Sequence, residues 1–349
     1  MNNKTRKLAV LLAFLALPLL AEQGLRNARV EERTTGGLEA ALRDALRTKD
    51  GPTWIAWSVP QAGRRSLCCY DWPRHAKGGC ALEEDHGFGS SDEAPAEDVP
   101  APLLYVLLKV AGGRVERVRV FSDDCAVDAG GRTVAFVKGV SSKDSLEALS
   151  SLVVGRDEKR DRLAEAALMA IAHHGDSSAD PVLAGFTAPE RPEEVHKKAA
   201  FWMGAARGRA GYEALARLVR EDASDRFREH VVFALSISHE PAAVDAILEV
   251  ARRDKSAGVR GQALFWLGQK AGKKAADGIT RAIEDDPETD VKKKAVFALS
   301  QLPREEGVPL LLQTARTNRN PVVRREAIFW LGQSKDPRAL AFFEEVLTR

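Results

Sequence analysis

Val259-Arg260-Gly261-Gln262-Ala263-Leu264-Phe265-Trp266-Leu267-Gly268 returns further along the chain as Val323-Arg324-Arg325-Glu326-Ala327-Ile328-Phe329-Trp330-Leu331-Gly332. The same signature stands between these two copies as Phe297-Ala298-Leu299-Ser300, and before them as Phe233-Ala234-Leu235-Ser236 and Phe201-Trp202-Met203-Gly204. The five phenylalanines fall at a constant step of 32 residues. One step earlier, Met169-Ala170-Ile171-Ala172 is a degenerate sixth copy. Six residues before each anchor stands an apolar residue: Leu163, Val195, Phe227, Val259, Val291 or Val323. Self-similarity at a fixed period of this length is the mark of a tandem array, in which each unit is one supersecondary element.

Each period has room for two helices. The first runs from the leading apolar residue through the anchor, as in Val323 to Leu331. A polar turn follows, as in Ser334 to Pro337, and the second helix carries Ala339, Leu340, Phe343, Val346 and Leu347. Asp225, Asp290 and Pro321 occupy positions between copies where helix caps and stops belong. A lone helix pair cannot bury its apolar faces, so copies stack and share one core. The expectation is an α/α solenoid of about six helix pairs over residues 156–349.

The spacing Val-Arg-x-x-Ala-x-x-x-Leu-Gly at 259–268 and 323–332, each followed by a second helix, resembles HEAT repeats, in the short form named after the phycobilisome lyases. The resemblance covers roughly residues 160–349 and implies a surface for binding proteins. Among similar repeats, the deoxyhypusine hydroxylases hold two irons through His-Glu pairs on first helices, four and three residues before the anchor. Here those places hold Lys197-Lys198, Glu229-His230, Gly261-Gln262, Lys293-Lys294 and Arg325-Glu326. No copy has His-Glu there, so no iron site is expected and no cofactor is assigned. The lyase activity is left with fold-level analogy alone.

On a helical wheel the leading apolar residue, the alanine two before the anchor and the two residues after the anchor make a core stripe. Trp202, Trp266 and Trp330 fall within it. The anchors Phe201, Phe233, Phe265, Phe297 and Phe329 fall away from it. Two readings follow: a row of phenylalanines that docks a partner peptide or domain, or rings that pack between neighbouring repeats. A second set, His196, Arg228, Arg260, Lys292 and Arg324, recurs with the same period. It reads either as a positive strip beside the row or as a solvated face with local ion pairs.

The rest of the chain is organised differently. Lys4, Arg6 and Lys7 precede the uncharged run Leu8 to Leu20, which predicts a signal peptide over residues 1–21, cleaved after Ala21 or retained as an anchor. Either form predicts export to the periplasm or beyond, and the cleaved, mature chain is expected to carry no membrane span. Residues 22–50 read as a charged linker plus one short helix at Leu38 to Arg47. Residues 51–155 read as a small antiparallel β-rich domain. Strands are expected at Thr53 to Pro60 and Ser66 to Tyr70. One hairpin is expected around Gly112-Gly113, where both residues tolerate positive φ, and a second at 125–140 about Asp128 to Gly131. Glu83 to Pro102 reads as an acidic loop, and Ser142 or Asp144 as the cap of a helix from Ser145.

All four cysteines, Cys68, Cys69, Cys80 and Cys125, lie in this region. An even, clustered set in an exported chain predicts disulfides. If Cys68 and Cys69 share a strand, one reaches Cys80 and the other Cys125, in an order the spacing leaves open. With His75 and His86, the same cysteines are also a candidate metal set, and Cys68-Cys69 a candidate redox pair. Asp123, Asp124 and Asp128 are candidate calcium ligands, and His173-His174 reads as a polar helix end.

The 52 basic and 50 acidic residues give a formal charge of +2, which does not mark a nucleic-acid binder. No phosphate loop or nucleophile–base set is present. The chain therefore reads as a non-enzymatic scaffold in the cell envelope, with a protein or peptide partner held along the repeats. The alternative is a redox or metal-dependent protein acting at Cys68-Cys69, with the repeats recruiting its substrate.

Overall fold

The computed structural model describes residues 24–34, 36–48, 52–63, 66–71, 76–77, 80–84, 88–90, 102–154, 158–270 and 272–348. The expected signal peptide, most of the acidic loop, His75 and His86 lie outside them. Among the described residues no helix is long and apolar enough to cross a membrane.

The N-terminal part contains β1 (Leu25–Arg26), β2 (Arg29–Arg33), α1 (Gly37–Arg47), β3 (Thr53–Pro60), β4 (Leu67–Asp71), β5 (Ala76–Lys77), β6 (Cys80–Ala81), β7 (Phe88–Ser90), β8 (Leu103–Ala111), β9 (Arg114–Ser122), β10 (Val127–Asp128) and β11 (Thr133–Val137). The main sheet has the order β2-β11-β3-β8-β9. The hairpin β8–β9 turns on Gly112 and Gly113, at φ 59° and 73°, as the primed turn requires.

The sheet is mixed, which corrects the antiparallel expectation. β11 pairs in parallel with both β2 and β3. The second hairpin does not form either, because β10 and β11 join different sheets: β10 runs parallel between β1 and β6. The charged stretch 25–33, read as linker, supplies β1 and the edge strand β2. An edge strand tolerates Arg29, Glu31, Glu32 and Arg33 because it need not be buried.

Both faces of the sheet are covered, and β3 shows how. Ile55, Trp57 and Val59 face one core, with α1 and the helices that follow. Trp54 and Ala56 alternate to the other side, where they meet all four cysteines, Leu107, Phe121 and Val134. A period of two puts successive residues on opposite faces, so a strand buried on both sides reads as nearly unbroken apolar sequence.

The helical part begins with α2 (Ser142–Ser151), capped by Ser141, whose side chain accepts a hydrogen bond from Asp144 N–H. Six pairs follow: α3 (Glu158–Ala172) with α4 (Ala179–Gly185), α5 (Glu193–Ala206) with α6 (Gly208–Glu221), α7 (Asp225–Ile237) with α8 (Ala243–Arg253), α9 (Ala257–Gly268) with α10 (Lys273–Asp285), α11 (Thr289–Gln301) with α12 (Arg304–Thr317), and α13 (Pro321–Ser334) with α14 (Pro337–Leu347). First helices pack on first helices and second on second, as a solenoid demands. The caps fall one or two residues before the expected ones: Ser224 and Asn320 accept hydrogen bonds from Phe227 N–H and Val322 N–H, and Glu288 precedes α11.

One apolar core runs from the inner face of the sheet through α3 to Phe342. The β domain thus closes the first end of the array, in the place of a capping repeat. Trp57 Nε1 donates to Ser145 Oγ at 2.9 Å. Gly175 N–H and Ala62 N–H bond across to Pro60 O and His173 O at 2.6 and 2.7 Å.

Candidate functional site

The anchors do not stand alone on their helices. Phe201 stacks on Phe233 of the next pair at 6.0 Å between centroids, and Phe265 on Phe297 at 6.2 Å. Trp266 meets Phe233 at 5.0 Å and Phe265 at 4.9 Å. Trp330 meets Phe297 at 4.9 Å and Phe329 at 5.1 Å. Trp202 lies against Phe201 and, on its other side, His173. The result is one unbroken line of rings from His173 to Phe329 along five consecutive first helices.

The two sequence readings of the phenylalanines are therefore not exclusive. Phe201, Phe233, Phe265 and Phe297 pack across a repeat boundary, yet none is fully buried, and Phe329, which meets Trp330 of its own helix, is 54% exposed. The tryptophans, expected in the core stripe, are half-buried members of the line. The sequence signal for their role is the alternation Trp202, Ala234, Trp266, Ala298, Trp330. At the Trp copies the following glycine has no Cβ, and the next pair's backbone fills that space: a Cβ at Gly204 would overlap Ala234 O, and one at Gly268 would come 2.8 Å from Ala298 O. The indole from every second copy then reaches over to the neighbouring ring. Trp330 Nε1 donates to Glu326 Oε1 at 2.9 Å.

Three of the periodic basic residues, His196, Arg228 and Arg260, are buried and do not form an exposed strip. Arg228 is 2% exposed. Its Nε and Nη2 donate to Asp254 Oδ2 and Oδ1, both at 2.8 Å, and Nη1 donates to Asp222 O at 2.9 Å. Arg260 repeats this on Asp286 at 2.7 and 3.0 Å and on Asp254 O at 2.9 Å. Each arginine thus ties the loop before its own pair to the loop before the next. Lys292 Nζ donates to Glu284 O, and Arg324 Nη1 to Asn318 O and Arg319 O. His196 stacks on Phe227 at 3.5 Å.

Burial alone would push the Asp254 carboxyl up, but hydrogen bonds from Arg228 and from Ser256 N–H outweigh it and hold the group below its ordinary range. Asp254 raises Arg228 in turn. The partners that sequence reasoning missed are Asp222, Asp254, Asp286 and Asn318, six residues before the basic set and on the same period. Their side-chain oxygens accept from Ser224, Ser256, Glu288 and Asn320 N–H at 2.8–2.9 Å, which fixes the shape of each loop.

In the β domain the cysteines form Cys68–Cys125 and Cys69–Cys80. All four are buried in one cluster, with Cys80 Sγ 3.5 Å from Cys125 Sγ. The sulfurs of Cys68, Cys80 and Cys125 lie close enough to share an ion, but each is committed to a disulfide, and the thiolate is what ligates metal. Asp123, Asp124 and Asp128 accept hydrogen bonds from Leu103 N–H, Ser66 Oγ and Gly130 N–H, so the candidate calcium ligands serve the local turns.

His173-His174 is not a polar helix end. His174 is fully buried between the β domain and the array. Its Nδ1 accepts from Asp176 N–H, and its Nε2 has no partner among the described residues. Burial brings both imidazoles down to about 4, with Arg207 adding to the effect.

Residues 276–349 match the family of HEAT repeats. Among solved structures, the chain is similar to the CpcE–CpcF phycocyanin lyase complex of a Nostoc species, at 21% identity over 44% of this chain and 99% of that one, with a TM-score of 0.34. It is similar to human deoxyhypusine hydroxylase at 17% identity, over 57% of this chain and 88% of that one, with a TM-score of 0.25. It is similar to yeast importin-β at 15% identity, over 58% of this chain and 33% of that one, with a TM-score of 0.36. No curated protein matches the sequence. The match covers the last two helix pairs, and the same kind of pair recurs at the same step back to α3, so the C-terminal part of this chain is one α/α solenoid of HEAT-like pairs.

Proposed function

We propose that this chain is a non-enzymatic scaffold of the cell envelope that holds a protein or peptide partner along the aromatic line of its first helices. The observation that carries the reading is the continuous row of half-buried rings, with Phe329 and Ile328 open at its end. Aromatic side chains supply large contact area at little entropic cost, which is why they anchor interfaces. HEAT repeats commonly bind proteins, and a rigid row set at repeat spacing suits an extended or helical partner. The apolar run at residues 8–20 supports the envelope location. The redox alternative needs a Cys68–Cys69 pair open to a substrate, whereas here each cysteine bonds a distant one and the sulfurs are buried.

The test is a pull-down from envelope fractions with the wild-type chain and with F233A and F297A, each checked by circular dichroism. Loss of one specific partner from folded variants is the expected result. Retention of every partner by folded F233A and F297A would remove the aromatic line from the binding surface.

A further inference from the structure

The arginine–aspartate clasp forms in two successive copies, Arg228–Asp254 and Arg260–Asp286, and is missing from the next. One period after Arg260 and Asp286, the same two positions hold Lys292 and Asn318. The loop keeps its shape, because Asn318 Oδ1 still accepts from Asn320 N–H at 2.9 Å. Its carboxylate is gone. Lys292 Nζ donates to the Glu284 carbonyl at 2.6 Å, and the ammonium forms no ion pair among the described residues. An ammonium has three donors, so two stay unused.

A cleft lies at the same place. Successive second helices leave a groove between them. Between α8 and α10 it ends at Asp286 and Pro287, where Arg260 closes the clasp. Between α10 and α12 the corresponding cleft is smaller, about 400 Å³ against about 670 Å³, but its lining includes Lys292 and Asn320. Its lining carries two cations, Lys292 and Arg319, and one carboxylate, Glu284, a net of +1. Arg319 is exposed and its guanidinium has no carboxylate partner among the described residues. The volume lies within the range of small-ligand sites.

We propose that this cleft binds a carboxylate from an acidic peptide segment of another protein, which supplies beside Asn318 the negative charge that Asp254 and Asp286 supply in the two preceding clasps. The proposal does not rest on the aromatic line, which runs along the first helices, whereas the cleft lies between second helices. Lys292 donates to one carboxylate oxygen, and Arg319 closes from the rim with its planar fork.

The test uses the full chain, isotope-labelled, titrated with Ac-Gly-Asp-Gly-NH2 and separately with Ac-Gly-Asn-Gly-NH2. The amide resonances of Asn318, Arg319 and Asn320 are the readout. The Asp peptide should shift them saturably at millimolar concentration, with the Asn peptide weaker by about ten-fold, since a charge-assisted bond is lost. K292R/N318D, which supplies the missing clasp internally, should abolish the response. K292Q, which cannot close a clasp, should weaken it about five-fold or more. Equal response to the two peptides, or an undiminished response in folded K292Q, overturns the proposal.

Discussion

Replacing Arg228 with methionine tests what holds the helix pairs in register. The side chain keeps its length and apolar stem, so packing changes little and the charge alone is removed. What remains is an Asp254 carboxylate, 7% exposed, that has lost both guanidinium bonds. Asp222 O and Ala223 O lose their donor as well. Removing one partner of a buried pair costs about 3–5 kcal/mol, because the other charge is stranded. D254N should cost less, about 1–3 kcal/mol, because Arg228 keeps its ion pair with the exposed Asp225 at 2.9 Å. The double variant R228M/D254N strands no buried charge, leaving two carbonyls without a donor and the exposed Asp225 without its cation, so it should be no worse than R228M alone. The coupling energy is then at least the D254N cost, about 1–3 kcal/mol. Urea unfolding followed by circular dichroism gives the four midpoints. Repeating the series at low and high salt separates a buried pair from a screened surface one. A loss under about 1 kcal/mol for R228M, or additive single effects, would refute the clasp and return Arg228 to the surface strip that its periodicity first suggested.

Gly204 and Gly332 hold the same place in their repeats but should answer alanine with opposite signs. G204A drives a Cβ into the Ala234 carbonyl and should cost about 1–3 kcal/mol as overpacking. G332A meets nothing nearer than 3.9 Å and should stabilise by up to about 1 kcal/mol through helix propensity; a common sign in thermal melts of the two would remove the close-approach argument. Acid should loosen the joint between the domains. Burial lowers His174 to about 4 from an ordinary 6.5, so the folded state favours the neutral ring, and stability present above pH 6.5 is lost as pH falls toward 4. The full effect is about 3 kcal/mol, of which about 2 is gone by pH 5; an H174Q chain with the same slope of stability between pH 6.5 and 5 would contradict this. Non-reducing peptide mapping should recover Cys68–Cys125 and Cys69–Cys80. Their loops of 57 and 11 residues correspond to about 4 and about 3 kcal/mol in the chain-entropy model, so reductant should unfold the sheet before the helices, and simultaneous loss of both would argue against separate contributions.

The array was legible because its signal is repeated. A helix pair read once is ambiguous, whereas Val, Ala, Phe and Leu at fixed offsets in successive copies average the ambiguity away. The β domain has no such redundancy. Its parallel pairings join residues far apart in sequence: β11 lies between β2 and β3, about a hundred and about eighty residues upstream in the register. Nothing local marks a parallel edge strand as polar as Arg-Val-Glu-Glu-Arg, and the turn Asp128 to Gly131 looks like a hairpin turn whether or not its flanks pair with each other. The β8–β9 hairpin was legible because adjacent strands and a Gly-Gly turn are local facts.

The misplaced basic set shows a different limit. A period of 32 states that His196, Arg228, Arg260, Lys292 and Arg324 are equivalent, but it does not say what they face. Phe and Arg recur with the same step, so both read as surface rows, yet one row is half-open and most of the other is locked between loops. The discriminating signal was present as a second row, Asp222, Asp254, Asp286 and Asn318, always six residues ahead. A cation and an acid that share a period, in a solenoid where only neighbours touch, should be read as a brace between copies before either is read as a surface. The rule also gives meaning to its own exception. Where both members change together, as at Lys292 and Asn318, the brace is absent and a charge built for a carboxylate is left without one.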